Sequence, residues 1–123
     1  MLVSEAAHAL AQRWIDAWNA HDLDRVLALY HDDAVMRSPL IAERMGEPSG
    51  TLRGKEALRA YWSIGLAASP PLRFELLGVY VGVESVTVHY RSVGRRLVTE
   101  VLTLDEAGRI VRGASHHGER DLA

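Results

Sequence analysis

The chain has 123 residues, 48% of them hydrophobic, 24% charged and 7% aromatic. That is the length and composition expected of one globular domain, residues 1–123, large enough to bury a core without covalent staples. It has no cysteine, which excludes disulfides, cysteine–zinc sites and thiol catalysis, and its net charge of −2 offers no basic field for nucleic acid or an anionic membrane. The opening segment has no basic stretch followed by an apolar one, and no run approaches a membrane span, so a cytoplasmic location is expected.

In chain order, a first helix is expected over Ser4–Asn19, with Ser4 as its N-cap. Ala7, Leu10, Ala11, Trp14, Ile15 and Trp18 form one apolar stripe at three- and four-residue spacing. Asp22 is placed to cap a short second helix, Leu23–Tyr30, which His31-Asp32-Asp33 ends. Ala34–Ser38 reads as a strand stopped by Pro39. Leu40–Arg53, with Gly46, Pro48, Ser49 and Gly50, reads as a long loop with room for one short strand. A third helix, Lys55–Leu66, buries Leu58, Tyr61, Trp62 and Leu66, and Ser69-Pro70-Pro71 ends it. Strands follow at Leu72–Val81, Ser85–Ser92, Arg95–Leu104 and Arg109–His117. A turn at Asp105–Gly108 joins the last two, and 118–123 forms a polar tail. Helices first and strands after predict an α+β domain. The expected architecture is a cone: a curved mixed sheet packed on three helices and enclosing an apolar pocket.

The segment from Gln12-Arg13-Trp14-Ile15-Asp16-Ala17-Trp18-Asn19 through Tyr30-His31-Asp32-Asp33-Ala34-Val35 resembles the opening of the nuclear-transport-factor-2-like superfamily. That group contains SnoaL-like polyketide cyclases, ketosteroid isomerases and limonene-epoxide hydrolases. The hairpin Asp105–Val111 is similar to the family's C-terminal hairpin. The resemblance covers nearly the whole chain and implies the cone fold and a homodimer. It does not choose an activity, because this scaffold carries many. By local motif alignment, the ketosteroid isomerase tyrosine falls on Trp14, its aspartate base on Ser38 before Pro39, and its late-strand acid on Glu100. One carboxyl of the set therefore survives, and the familial isomerase mechanism is not expected. The hydrolase pattern fails as well, with Val98 where an arginine is needed.

Glu100 is the leading catalytic candidate. Val98, Glu100, Leu102 and Leu104 share one strand face, and an inward carboxyl among them would be desolvated and stay protonated to higher pH. Such a group donates to an oxyanion or shuttles a proton. The other reading has that face outward, or Glu100 neutralised by Arg37 or Arg96. If the turn pairs Leu104 with Arg109, then Glu100 opposes Gly113 and His117 opposes Arg96. His117 then shares the Glu100 face but lies about 13 Å along the sheet. It is the second catalytic candidate, with a partly exposed strand-end histidine as the alternative. His116 and His89 are expected on the outer face with Thr87, Thr99 and Val101.

Trp14, Tyr30, Met36, Ser38, Trp62, Tyr90 and Leu102 are the candidate substrate-binding residues. Trp14, Tyr30 and Tyr90 are expected against the cavity, Trp18 and Trp62 chiefly in packing or at the mouth. Metal-ligand spacing is absent and no cofactor is expected. Gly50–Glu56 departs from a phosphate loop in length and in its final residue. Arg91, Arg95 and Arg96 read as a solvated turn. Two function classes stay open: a small acid–base enzyme acting on an apolar carbonyl, enol or epoxide, and a non-catalytic module binding a small hydrophobic molecule or a second copy of the chain.

Overall fold

The computed structural model describes residues 4–122. Its helices are α1 (Ser4–Asn19), α2 (Leu23–Leu27), α3 (Pro39–Met45) and α4 (Lys55–Ala67). Its strands are β1 (Tyr30–Arg37), β2 (Thr51–Arg53), β3 (Glu75–Gly82), β4 (Ser85–Arg91), β5 (Leu97–Leu104) and β6 (Ile110–His117). The strands form one curved, open sheet in the order β2-β1-β6-β5-β4-β3. β1 and β6 run parallel and every other pair is antiparallel. The helices cover the inner face, and the expected α+β cone is present.

The stripe on α1 buries as its spacing requires: Ala7, Leu10, Ala11, Trp14, Ile15 and Trp18 are all core residues. Ser4 is the first described residue of the helix, and the residues ahead of it lie outside the described ones. Asp22 does cap α2, accepting the Arg25 backbone N–H at 3.1 Å.

The structure corrects several expected bounds. The second helix stops at Leu27, and Tyr30 opens β1 instead of closing the helix. Tyr30 pairs with Ile110, and the Ile110 N–H donates to the Leu29 carbonyl at 2.9 Å, so a sheet partner from the far end of the chain overrides local helical spacing. The 40–53 segment does hold one short strand, β2, but most of its first half is α3, so the described residues hold four α-helices where three were expected. Pro39 ends the strand and also starts α3 at its first position, where no N–H is needed, with Ser38 Oγ accepting the Leu40 N–H at 3.2 Å. The third strand begins at Glu75 rather than Leu72. Ahead of it, the Asn19 amide clamps the Phe74 backbone, donating to its carbonyl at 2.9 Å and accepting its N–H at 2.7 Å. That clamp turns the Phe74 ring into the core. Arg95 stands outside β5, in a short 3-10 turn over Val93–Arg95, and a second such turn covers Glu119–Leu122 in the expected tail.

The β5–β6 register differs as well, and this change bears on the site. The Asp105 carboxylate accepts the backbone N–H groups of Ala107 and Arg109, both at 2.9 Å, and Gly108 takes the left-handed conformation at φ 83°. Pairing then resumes with Leu104 opposite Ile110 and Thr103 opposite Arg112, leaving Val111 as a bulge. Glu100 therefore faces Ser115, not Gly113, and His117 faces Val98, not Arg96. The displacement is two residues, an even number, so Glu100 and His117 stay on one face while His117 moves much closer to it.

Candidate functional site

A pocket of about 520 Å³ opens between the inner sheet face and the helices. Its apolar wall carries Trp14, Trp18, Trp62, Phe74 and Tyr90. These rings interlock: Phe74 lies 4.3 Å from Tyr90, Trp18 5.2 Å from Trp62, and Trp14 5.4 Å from Tyr90, centroid to centroid. Most are held by α1 and α4, whose helical spacing points successive turns at the sheet. This size and apolar character suit a small organic molecule.

Tyrosine and tryptophan aside, Glu100 and Ser38 are the only buried polar side chains among the described residues, and Glu100 is 2% exposed. The Ser115 hydroxyl, directly across the β5–β6 pair, donates to Glu100 Oε1 at 2.6 Å. The Tyr90 hydroxyl, reaching across from β4, stands 3.5 Å from the same oxygen, at the outer limit of a hydrogen bond. Oε2 has no hydrogen-bond partner. It lies beside Gly113, where a Cβ would stand in ordinary contact with Oε2 at 3.6 Å but tightly against the Met36 sulfur at 3.1 Å. Burial pushes the Glu100 carboxyl up to about 7, with the Ser115 and Tyr90 hydroxyls pulling the other way. Burial, reinforced by the Glu100 charge, also raises Tyr90 well above the ordinary phenol range, so its hydroxyl is a donor at neutral pH. The inward, desolvated placement of Glu100 holds, and no described residue forms a salt bridge with it.

His117 lines the pocket, half-buried, diagonal to Glu100 across the strand pair and so about 7 Å from it along the backbone. Burial lowers its pKa, and the nearby Arg96 and Arg44 charges lower it further against the opposing pull of Asp121.

Of the candidate binding residues, Trp14, Met36, Ser38, Trp62 and Tyr90 line the pocket. Tyr30 and Leu102 do not. Tyr30 is buried, its hydroxyl accepting the Trp14 indole N–H at 3.0 Å, and Leu102 is wholly buried in the core. Trp14 thus spends its donor inside the protein. Trp18 and Trp62 both reach the pocket, and the buried Trp18 Nε1 has no partner. Sequence reasoning missed Tyr61, Phe74, Ser115, Arg44 and Arg96 as lining residues. Alternation on the last strand would have found Ser115, given the bulge. Phe74 depended on the distant Asn19 clamp, and Arg44 lies in the unforeseen α3. Arg91 does sit in a solvated ion pair, with Glu75 at 3.1 Å. No cluster of three or more metal-ligating side chains occurs among the described residues, and no helix there is long and apolar enough to cross a membrane.

This architecture is shared with known proteins. A SnoaL-like protein of unknown function from Burkholderia thailandensis is 44% identical over 94% of this chain and 97% of its own, with a TM-score of 0.91. A candidate isomerase of the SnoaL-like family from Agrobacterium tumefaciens is 20% identical over 91% and 97%, with a TM-score of 0.72. IdmH, a candidate polyketide cyclase from Streptomyces antibioticus, is 18% identical over 94% of each chain, with a TM-score of 0.77. At those lower identities the likeness is one of fold. The sequence profile of the SnoaL-like domain matches residues 11–117, and with that match the chain belongs to the SnoaL-like family.

Proposed function

We propose that this protein is a cofactor-independent acid–base enzyme of isomerase, cyclase or hydrolase type, acting on a small apolar carbonyl, enol or epoxide. The observation that carries the reading is Glu100, a carboxyl 2% exposed at an apolar pocket, with one oxygen held by Ser115 and the other without a partner. With its pKa raised to about 7, it exists in both forms at neutral pH. As carboxylate it takes a proton from the carbon beside a carbonyl, leaving the enolate, and as the acid so formed it returns that proton to the enolate, at oxygen to give the enol or at carbon to give the rearranged ketone. Tyr90 and Ser115 hold the carboxyl in place. Trp14, Trp62 and Met36 pack against the substrate, and His117 offers a further hydrogen bond from the mouth. The reading includes a homodimer formed through the outer sheet face, where Thr87, His89, Thr99 and Val101 point away from the pocket.

A direct test is hydrogen–deuterium exchange at the α-carbon of 2-tetralone in D₂O, followed by NMR. The wild type is expected to accelerate exchange above buffer, and Glu100→Gln to lose about a hundredfold or more of that acceleration. Equal rates for the two proteins would overturn the role of Glu100. Trp14 favours the second reading, a non-catalytic binding module, because its indole N–H is already committed to Tyr30 and adds no donor beside Glu100. That reading predicts ligand binding with no exchange above buffer.

A further inference from the structure

The polar groups of the pocket fall into two sets, and only the deeper one, around Glu100, enters the proposed chemistry. The other set lies at the mouth. β6 runs parallel to β1 and antiparallel to β5, and β5 antiparallel to β4. The ends of β1, β4 and β6 therefore meet the start of β5 along one rim. His117 closes β6 there, Arg96 leads into β5, and Arg44 stands in the last turn of α3, the helix that follows β1. All three line the pocket. The Arg44 side chain runs against α4, where a Cβ at Gly65 would lie in ordinary contact with its Nη1, at 3.6 Å.

This rim carries positive charge without a matching carboxylate. Arg59, Arg91 and Arg109 are each paired, with Asp24, Glu75 and Asp105. Arg44 and Arg96 form no salt bridge with any described residue, and Glu100 is the only carboxylate among the described lining residues. Of the acidic groups, Asp121 acts electrostatically on His117, and Glu43 on α3 acts on Tyr61. Two uncompensated guanidinium groups beside a low-dielectric aromatic wall draw anions toward the opening. Their planar donor forks match a carboxylate.

We infer that the pocket takes an organic anion: a ring-bearing apolar carboxylic acid, ionised, with its carboxylate at the mouth on Arg44, Arg96 and His117 and its apolar body reaching in over Trp14 and Phe74 toward Glu100. The inference rests on the proposed reading of this pocket as the substrate site. It adds the substrate class and an orientation. A charge anchored at the rim fixes which end reaches Glu100 and keeps a second carboxylate away from it.

Calorimetric titration of the full chain with 2-naphthoate and with its neutral analogue 2-naphthamide tests this. The wild type is expected to bind the acid about tenfold more tightly than the amide, a preference that shrinks at high salt. In Arg44→Gln/Arg96→Gln the acid falls to the affinity of the amide, while the amide binds as before and so reports an intact pocket. Arg95→Gln, on the same turn but outside the lining, keeps the preference and separates local recognition from overall charge. Equal binding of acid and amide by the wild type, or a preference that survives the double substitution, overturns the inference and leaves the pocket reading standing. Failure of both probes to bind overturns the pocket reading and this inference with it.

Discussion

Replacing Glu100 by glutamine is expected to change how stability depends on pH, by about 3 kcal/mol between pH 4.5 and pH 8. Burial raises the folded-state pKa of Glu100 from 4.5 to about 7. As pH rises through that window, the unfolded chain ionises its glutamate while the folded chain keeps the proton. Folding therefore loses stability from about pH 4.5 upward, and the loss is complete once the pH passes the folded-state value. Glutamine carries no titrating proton, so the variant lacks this decline. Any fixed cost of seating an amide beside Ser115 is the same at both pH values and cancels in the comparison. Urea denaturation of both proteins at the two pH values measures the difference. Parallel pH dependences would mean that Glu100 is not desolvated.

The second large effect is expected at Trp14. Its ring is 2% exposed and touches Trp18, Phe74 and Tyr90, with centroids 6.1, 5.8 and 5.4 Å away. Its N–H is the donor to the buried Tyr30 hydroxyl. Trp14→Ala removes the ring at the centre of the aromatic layer and leaves that hydroxyl with one partner fewer, at a cost of about 3–5 kcal/mol. That is a large share of the ~5–15 kcal/mol that holds a typical domain folded. Trp14→Phe keeps most of the ring and loses the hydrogen bond, and is expected to cost about 1–3 kcal/mol. Denaturant midpoints for the two variants check the order. A Trp14→Ala cost under about 1 kcal/mol would show that the ring does not organise the layer.

The residues that were legible in the sequence are those whose role follows from local periodicity. The α1 stripe, the Asp22 cap, the inward face of Val98, Glu100, Leu102 and Leu104, and the Gly108 turn all match the structure. What stayed hidden depended on contacts between distant parts of the chain. Tyr30 has helical spacing but finds a strand partner in Ile110. Phe74 turns inward because Asn19 holds its backbone. The pairing of Leu104 with Ile110 and the bulge at Val111 each shift the register by one, moving His117 two positions closer to Glu100, and nothing in the spacing of Arg109–His117 announces it. Ser38 stands where the resemblance puts a base, and the local reading did not show that its hydroxyl caps α3. Arg44 and Arg96 meet at one rim only because the ends of α3 and β6 and the start of β5 are neighbours in the folded sheet.

Whether Glu100 is a desolvated acid at the pocket is read directly by a carboxyl-carbon NMR titration, with Glu100→Gln to assign the signal. A titration midpoint of about 7 is expected. A midpoint at or below the 4.5 of a free glutamate would contradict it, since the carboxyl would then be solvated or paired and could not hold a proton at neutral pH.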